Sequence, residues 1–253
     1  MRKYLVGGNW KQNGTQKFAT DFSRDVLNKL KFNPDRTEVV VAPSAVHIAI
    51  AQKTLANNVQ LSAQNISFYK NGAYTGETSA EMLKDLNVHW AILGHSERRH
   101  VFGESDKVVA QKCKWALDHQ LKIMACIGEK LDEREAGQTI AVNERQLNAI
   151  REQVQDWSNV VIAYEPVWAI GTGKTASPEQ AQEVHASLRA WLVKNVSKEA
   201  AAKTRILYGG SVTETNAADL IKQTDIDGFL VGGASLKPAF HDIVLAADEA
   251  KRV

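Results

Sequence analysis

The chain has 253 residues, 44% of them hydrophobic and 24% charged, with 16 Gly and 5 Pro; these proportions exclude a disordered, fibrous or low-complexity protein. Thirty-one Lys and Arg stand against 29 Asp and Glu, a formal net charge of +2, so charge gives no case for a nucleic-acid partner. Two cysteines, Cys113 and Cys126, are too few for a disulfide framework or a four-ligand zinc site.

No apolar run reaches the ~20 residues of a membrane span, and the run near Met1–Asn9 is too short for a signal peptide. The expected setting is therefore the reducing cytoplasm, away from membranes.

In chain order, eight short apolar runs read as strands: Tyr4–Gly8, Val39–Ala42, Val59–Ala63, Trp90–Leu93, Lys122–Ile127, Val160–Tyr164, Arg205–Tyr208 and Gly228–Val231. Most lack the alternation of a half-solvated antiparallel sheet and suit parallel strands covered on both faces. Amphipathic stretches lie between them at Lys17–Leu30, Asp106–His119, Asn143–Val154, Pro178–Asn195 and Thr215–Gln223. Ser177-Pro178-Glu179-Gln180 carries the signature of a capping box with Pro at the first helical position. No Gly/Ser/Pro-rich linker divides the chain. Eight strand–helix units in about 250 residues predict an α/β fold, a single-domain (β/α)8 TIM barrel over residues 1–253. An open doubly wound sheet is the alternative, but Gly7-Gly8-Asn9-Trp10-Lys11 after the first strand does not fit its Gly-x-Gly-x-x-Gly loop.

In a barrel the chemistry comes from the C-terminal ends of the strands. Those ends carry Asn9 and Lys11, then Gly94-His95-Ser96-Glu97, Tyr164-Glu165-Pro166, Tyr208-Gly209-Gly210-Ser211 and Val231-Gly232-Gly233. The two diglycines fall in the loops after strands seven and eight, the usual barrel phosphate site. Glycine lets backbone N–H groups approach an anion closely, and Ser211 and Ala234 are expected to precede helices whose N-termini favour negative charge. Glu165 ends an apolar strand and is placed to act as a base. His95 opens a short helix, whose dipole favours the neutral imidazole. The segment Pro166-Val167-Trp168-Ala169-Ile170-Gly171-Thr172-Gly173-Lys174-Thr175-Ala176 puts apolar residues in a loop, as a lid that excludes water would require.

Asn9-Trp10-Lys11, Gly94-His95-Ser96-Glu97-Arg98-Arg99, Cys126-Ile127-Gly128-Glu129, Tyr164 to Gly173, Tyr208-Gly209-Gly210-Ser211 and Gly232-Gly233-Ala234 resemble the triosephosphate isomerase family. The matching motifs run in order from residue 9 to residue 234. The resemblance implies interconversion of dihydroxyacetone phosphate and D-glyceraldehyde 3-phosphate through an enediolate, a step of glycolysis and gluconeogenesis, with no metal and no organic cofactor. It implies Glu165 as the base, neutral His95 as the group that polarises the carbonyl, and Lys11 as the cation offsetting phosphate and enediolate charge. Asn9 would bond a substrate oxygen, and N–H groups of Gly171, Ser211, Gly232 and Gly233 would hold the phosphate. Residues 166–176 would be the lid, and Ser96, Glu97 and Cys126 would support the reacting groups from behind. The long segment after strand three, including Tyr74, Thr75, Gly76 and Glu77, would plug into a second copy, with Thr75 reaching the neighbour's Asn9 and Lys11, giving a homodimer. Gln12 stands where family members often carry Met or Cys, and Tyr74 where Phe is common; neither touches the implied chemistry.

Two other readings compete. A sugar-phosphate aldolase barrel would want a Schiff-base lysine on a strand of the interior, and Lys122 opens strand five at its wrong end. A non-catalytic barrel would be expected to lack Glu165, His95 or the lid sequence, and all three are present.

Overall fold

The strand runs are rich in Val, Ile, Leu and Ala, which pack on both faces of a pleated sheet. The computed structural model describes residues 2–56, 58–170 and 175–250. Its strands are β1 (Tyr4–Asn9), β2 (Thr37–Ala42), β3 (Val59–Ala63), β4 (Trp90–Leu93), β5 (Lys122–Ile127), β6 (Val160–Tyr164), β7 (Arg205–Tyr208) and β8 (Gly228–Val231). They form a closed barrel in sequence order, with β1 pairing in parallel to both β2 and β8. Six of the eight expected strands have the bounds read from the sequence; β1 extends to Asn9 and β2 begins at Thr37.

Side chains alternate across each strand. Leu5, Val40, Ile92, Met124, Val161, Leu207 and Leu230 form one buried cluster of strand residues, the barrel interior. Tyr4, Val6, Val39, Val41, Ala91 and Leu93 belong to the second cluster, shared with the helices.

The helices are α1 (Gln16–Asp25), α2 (Ala45–Thr54), α3 (Ala80–Asp85), α4 (Ser96–His100), α5 (Asp106–Asp118), α6 (Leu131–Glu135), α7 (Thr139–Gln153), α8 (Pro178–Asn195), α9 (Lys198–Lys203), α10 (Ala217–Leu220) and α11 (Phe240–Glu249). Helix α8 has the predicted bounds and its capping box: Ser177 Oγ accepts the Gln180 N–H at 3.2 Å and Gln180 Oε1 accepts the Ser177 N–H at 3.0 Å.

Two expected helices are shorter. Over Lys17–Leu30 the α-helix stops at Asp25 and a 3-10 turn follows at Leu27–Lys29. Over Thr215–Gln223 only α10 forms, because Asn216 builds a turn: its Oδ1 accepts the Thr213 N–H at 2.8 Å and its Nδ2 donates to Ser211 O at 3.0 Å.

The N-terminal end of the barrel is plugged. Glu38 accepts from Arg205 at 2.7 Å and from Gln60 at 2.8 Å, and Trp90 Nε1 donates to Gln60 at 3.0 Å. The C-terminal end is where the cavity opens.

Candidate active site

Strand β1 ends in Asn9, whose Oδ1 accepts the Lys11 N–H at 3.0 Å. Lys11 has a left-handed backbone with φ of 52°, unfavourable for a residue with a Cβ. The Gln64 side chain compensates by donating to Lys11 O at 2.8 Å and to Ala42 O at 2.9 Å. Lys11 Nζ lies 2.7 Å from Glu97 Oε1.

At the end of β4, Gly94 turns the chain with φ of +69°, and buried His95 becomes the N-cap of α4. Its Nδ1 accepts the Glu97 N–H at 3.2 Å, which requires a lone pair there and so puts the ring proton on Nε2. Nε2 faces Glu165 Oε1 at 2.8 Å, and Glu165 Oε2 accepts the Ser96 N–H at 2.9 Å. Burial pulls the imidazole pKa down, the adjacent Glu165 carboxylate pushes it up, and in this arrangement the net displacement is upward. The helix dipole therefore does not act alone on His95, as the sequence reading supposed.

Cys126 is buried behind Glu165, and burial together with that carboxylate pushes its thiol well above the ordinary range. Arg99, which sequence reasoning did not single out, ties the ends of β4 and β5 together. Its Nε donates to Gly94 O at 2.8 Å, its second guanidinium nitrogen to Cys126 O at 3.0 Å, and Asp106 fixes it at 2.7 Å.

Asn9, Lys11, His95, Glu165, Ser211, Gly232 and Gly233 all line one cavity of about 480 Å³. Gly209, Gly210, Thr213, Glu214, Thr215 and Lys237 line it as well; of these only the glycines stand in a motif read from the sequence as part of the site. The two diglycines differ. A Cβ on Gly209 would stand 2.9 Å from Glu165 Cγ, and one on Gly210 would stand 2.3 Å from the Tyr208 hydroxyl oxygen, so the first pair is required by packing. At Gly232 a Cβ would meet only Lys11 Cε at 3.7 Å, and at Gly233 nothing within 4 Å; the second pair leaves space for a ligand.

The expected helix starts are not where the sequence put them. Ala234 lies inside a 3-10 turn at Gly233–Leu236, and the first helix after Ser211 begins at Ala217. The backbone N–H groups at this end come from loops and a 3-10 turn, the latter held by Ser235 Oγ donating to Gly232 O at 2.7 Å.

In the expected lid, Pro166 is buried, Val167–Ala169 forms a 3-10 turn and Ile170 lines the cavity. The apolar residues are less exposed than expected: Ala169 is buried, and Trp168 is half-buried under the Arg134 guanidinium, 4.4 Å from the ring, with Nε1 donating to Glu129 at 3.0 Å. Gly171, Thr172, Gly173 and Lys174 lie outside the described residues, and with them the expected phosphate contact of Gly171; Thr175 is exposed and Ala176 buried. Tyr74, Thr75, Gly76 and Glu77 are all exposed, and Tyr74 stacks on Tyr69 at 4.3 Å between ring centroids.

A buried carboxylate sharing a hydrogen with an imidazole can move protons on a carbon acid, and the open glycines and lysine beside it can hold an anionic group. The fold and site together thus define an acid–base enzyme for a small phosphorylated carbonyl compound. The triosephosphate isomerase family profile matches residues 4–247. The chain is 55% identical over 250 residues to the chloroplastic triosephosphate isomerase of Fragaria ananassa, covering 98% of this chain and 79% of that one. It is 54% identical over 247 residues to the triosephosphate isomerase of Paracoccidioides lutzii, covering 97% and 98%. The chain belongs to the triosephosphate isomerase family, and its reaction is the interconversion of dihydroxyacetone phosphate and D-glyceraldehyde 3-phosphate.

Proposed function

We propose that the isomerisation runs on a single carboxylate base, Glu165, which takes the proton from the carbon beside the carbonyl and returns it to the neighbouring carbon. The observation that carries this reading is the placement of Glu165: buried, lining the cavity, with its oxygens on His95 Nε2 and the Ser96 N–H. Substrate entering the cavity draws the carboxylate off these donors. The largest influence that raises the His95 pKa is then removed, leaving the weaker pull of the Glu97 carboxylate against burial, nearby Lys11 and the Glu97 N–H on Nδ1, which favour a neutral ring. Neutral His95 offers its Nε2–H to the carbonyl and shuttles protons between the two oxygens of the enediolate. Lys11 offsets the developing charge, Asn9 bonds a substrate oxygen, and N–H groups of Gly171, Ser211, Gly232 and Gly233 grip the phosphate. Residues 166–176 close over the intermediate; Ser96, Glu97 and Cys126 support the reacting groups.

Isomerisation of dihydroxyacetone phosphate in deuterated water tests the proton-transfer route. Exchange at a carboxylate base places deuterium on carbon 2 of glyceraldehyde 3-phosphate, and Glu165→Gln abolishes this. Direct hydride movement between the carbons would leave carbon 2 without deuterium and overturn the reading.

We further propose that two copies pair through the segment containing Tyr74, Thr75, Gly76 and Glu77. A second cavity of about 590 Å³, next to the active site, is lined by Asn9, Lys11, Gln64, Glu97, Val101 and Phe102 among others. Val101 is 72% and Phe102 64% exposed, an apolar rim that supports occupation by another chain. In this reading Thr75 of one copy meets Asn9 and Lys11 of the other, and the whole chain acts as one barrel domain.

Among the described residues no helix is long and apolar enough to cross a membrane. The buried free thiols of Cys113 and Cys126 are compatible with a reducing compartment, and we assign the protein to the cytoplasm; imaging of a fluorescent fusion in an organelle instead would overturn that assignment.

A further inference from the structure

Helix α7 buries two amide side chains one turn apart, Asn143 and Gln146. The Gln146 amide spans a single residue of the segment after β5. Gly128 N–H donates to Gln146 Oε1 at 2.8 Å, and Gln146 Nε2 donates to Gly128 O at 3.2 Å. One side chain thus satisfies both backbone groups of Gly128, as a neighbouring strand would. Gly128 can carry no side chain, because a Cβ there would stand 1.7 Å from the Glu165 carbonyl oxygen.

The residues flanking Gly128 hold the backbone of the base. Glu165 N–H donates to Ile127 O at 2.7 Å and Val167 N–H donates to Glu129 O at 3.1 Å. These two bonds extend the β5–β6 ladder past Tyr164, and Gly128 lies between their acceptors. Gln146 braces the same stretch from its other side. Without the brace, Gly128 N–H and C=O would be buried and unpaired, a desolvation cost with nothing to offset it. The chain can relieve that only by shifting, and any shift passes directly into Glu165 N and Val167 N.

We propose that Gln146 is a positioning residue for the base: it does not line the active-site cavity, yet it sets where the Glu165 carboxylate stands. The proposal rests on the reading of Glu165 as the base. A space-filling role would be served equally by methionine, of similar length and volume; a bracing role would not.

The test compares wild type, Gln146→Met, Gln146→Ala, Glu165→Gln and the double variant Gln146→Met/Glu165→Gln, each with its melting temperature measured. Steady-state kinetics and competitive inhibition by inorganic phosphate report turnover and phosphate grip separately. In the Gln146 variants kcat per folded molecule falls by about 10- to 100-fold, the scale of a base displaced by roughly 1 Å, while KM and the phosphate inhibition constant stay within about twofold. In the Glu165→Gln background Gln146→Met costs no further kcat, because its effect runs through the missing base. Gln146→Ala leaves room for water at the Gly128 amide and gives the same kcat result if Gln146→Met does not fold.

Unchanged kcat with a lowered melting temperature would make Gln146 a packing residue and overturn the proposal. So would a full additional loss in the Glu165→Gln background, or a parallel rise in KM and the phosphate constant. Failure of the base assignment has a different signature, in which Glu165→Gln itself keeps wild-type turnover.

Discussion

The ammonium of Lys11 lies 2.7 Å from Glu97 Oε1, and the N–H of the same Glu97 is donated to Nδ1 of His95 at 3.2 Å. One residue of α4 therefore orients both the cation and the imidazole. Lys11 also stands against the open diglycine, with its Cε 3.7 Å from where a Gly232 Cβ would be. In the proposed mechanism, replacing it by methionine removes the charge that offsets phosphate and enediolate together. Lys11→Met is expected to raise KM and lower kcat, with a combined loss in kcat/KM of roughly 10²–10³-fold. Wild-type kinetics in this variant would make Lys11 an ordinary surface charge and contradict its proposed role.

Acid sensitivity should trace in part to His185. It is fully buried, with Nδ1 donating to Asp225 O at 3.0 Å and no partner on Nε2 among the described residues. Burial holds its pKa down at about 4, against an ordinary value of 6.5. Above pH 6.5 the ring is neutral folded and unfolded, and it costs nothing. As pH falls below 6.5 only the unfolded chain takes the proton, so stability declines until about pH 4, by about 3 kcal/mol in total. His185→Gln should flatten the fall of melting temperature between pH 6.5 and 4.5. An equally steep fall in the variant would assign that sensitivity to other groups.

The barrel was legible because its strands are short, apolar and separated by helix starts with plain capping chemistry, as at Ser177 and Ser105. Helix α2, Ala-Val-His-Ile-Ala-Ile, has apolar residues on every side, so its period is hidden. Helix α11 is not among the stretches read from the sequence, although Phe240, Ile243, Val244 and Ala247 follow the helical spacing and all are buried. In the site, residues at strand ends could be named because topology alone brings them together. Arg99, Gln64 and Gln146 could not, since each acts by bonding a backbone group far away in sequence. No local pattern marks such a contact. The Ser211 expectation failed for a related reason: the Asn216 side chain builds a turn, which delays the helix; at Ala234 a 3-10 turn, held by Ser235 on Gly232 O, stands where a helix start was expected.

The lid reading predicts a change in product partition. With residues 170–174 deleted, the enediolate is exposed to water and phosphate elimination increases relative to isomerisation. Trp168 remains tethered to Glu129, so the rest of the segment is kept. An unchanged ratio of methylglyoxal to isomerised product would mean that these residues do not shield the intermediate.

Pairing of two copies is tested by sedimentation at nanomolar concentration. A species of twice the chain mass of 27.9 kDa is expected. Thr75→Arg, at an exposed position, should shift it toward monomer with loss of activity. A fully active monomer at that concentration would contradict the pairing.

In the proposed mechanism one carboxylate, Glu165, does the proton transfer while other groups hold the phosphate. Steady-state kinetics of purified Glu165→Gln beside wild type test it most directly. In the variant kcat is expected to fall by about 10²–10⁴-fold with KM and phosphate inhibition little changed, since the amide keeps the shape but cannot accept the proton. Turnover within tenfold of wild type would contradict it and require a different base in the same cavity.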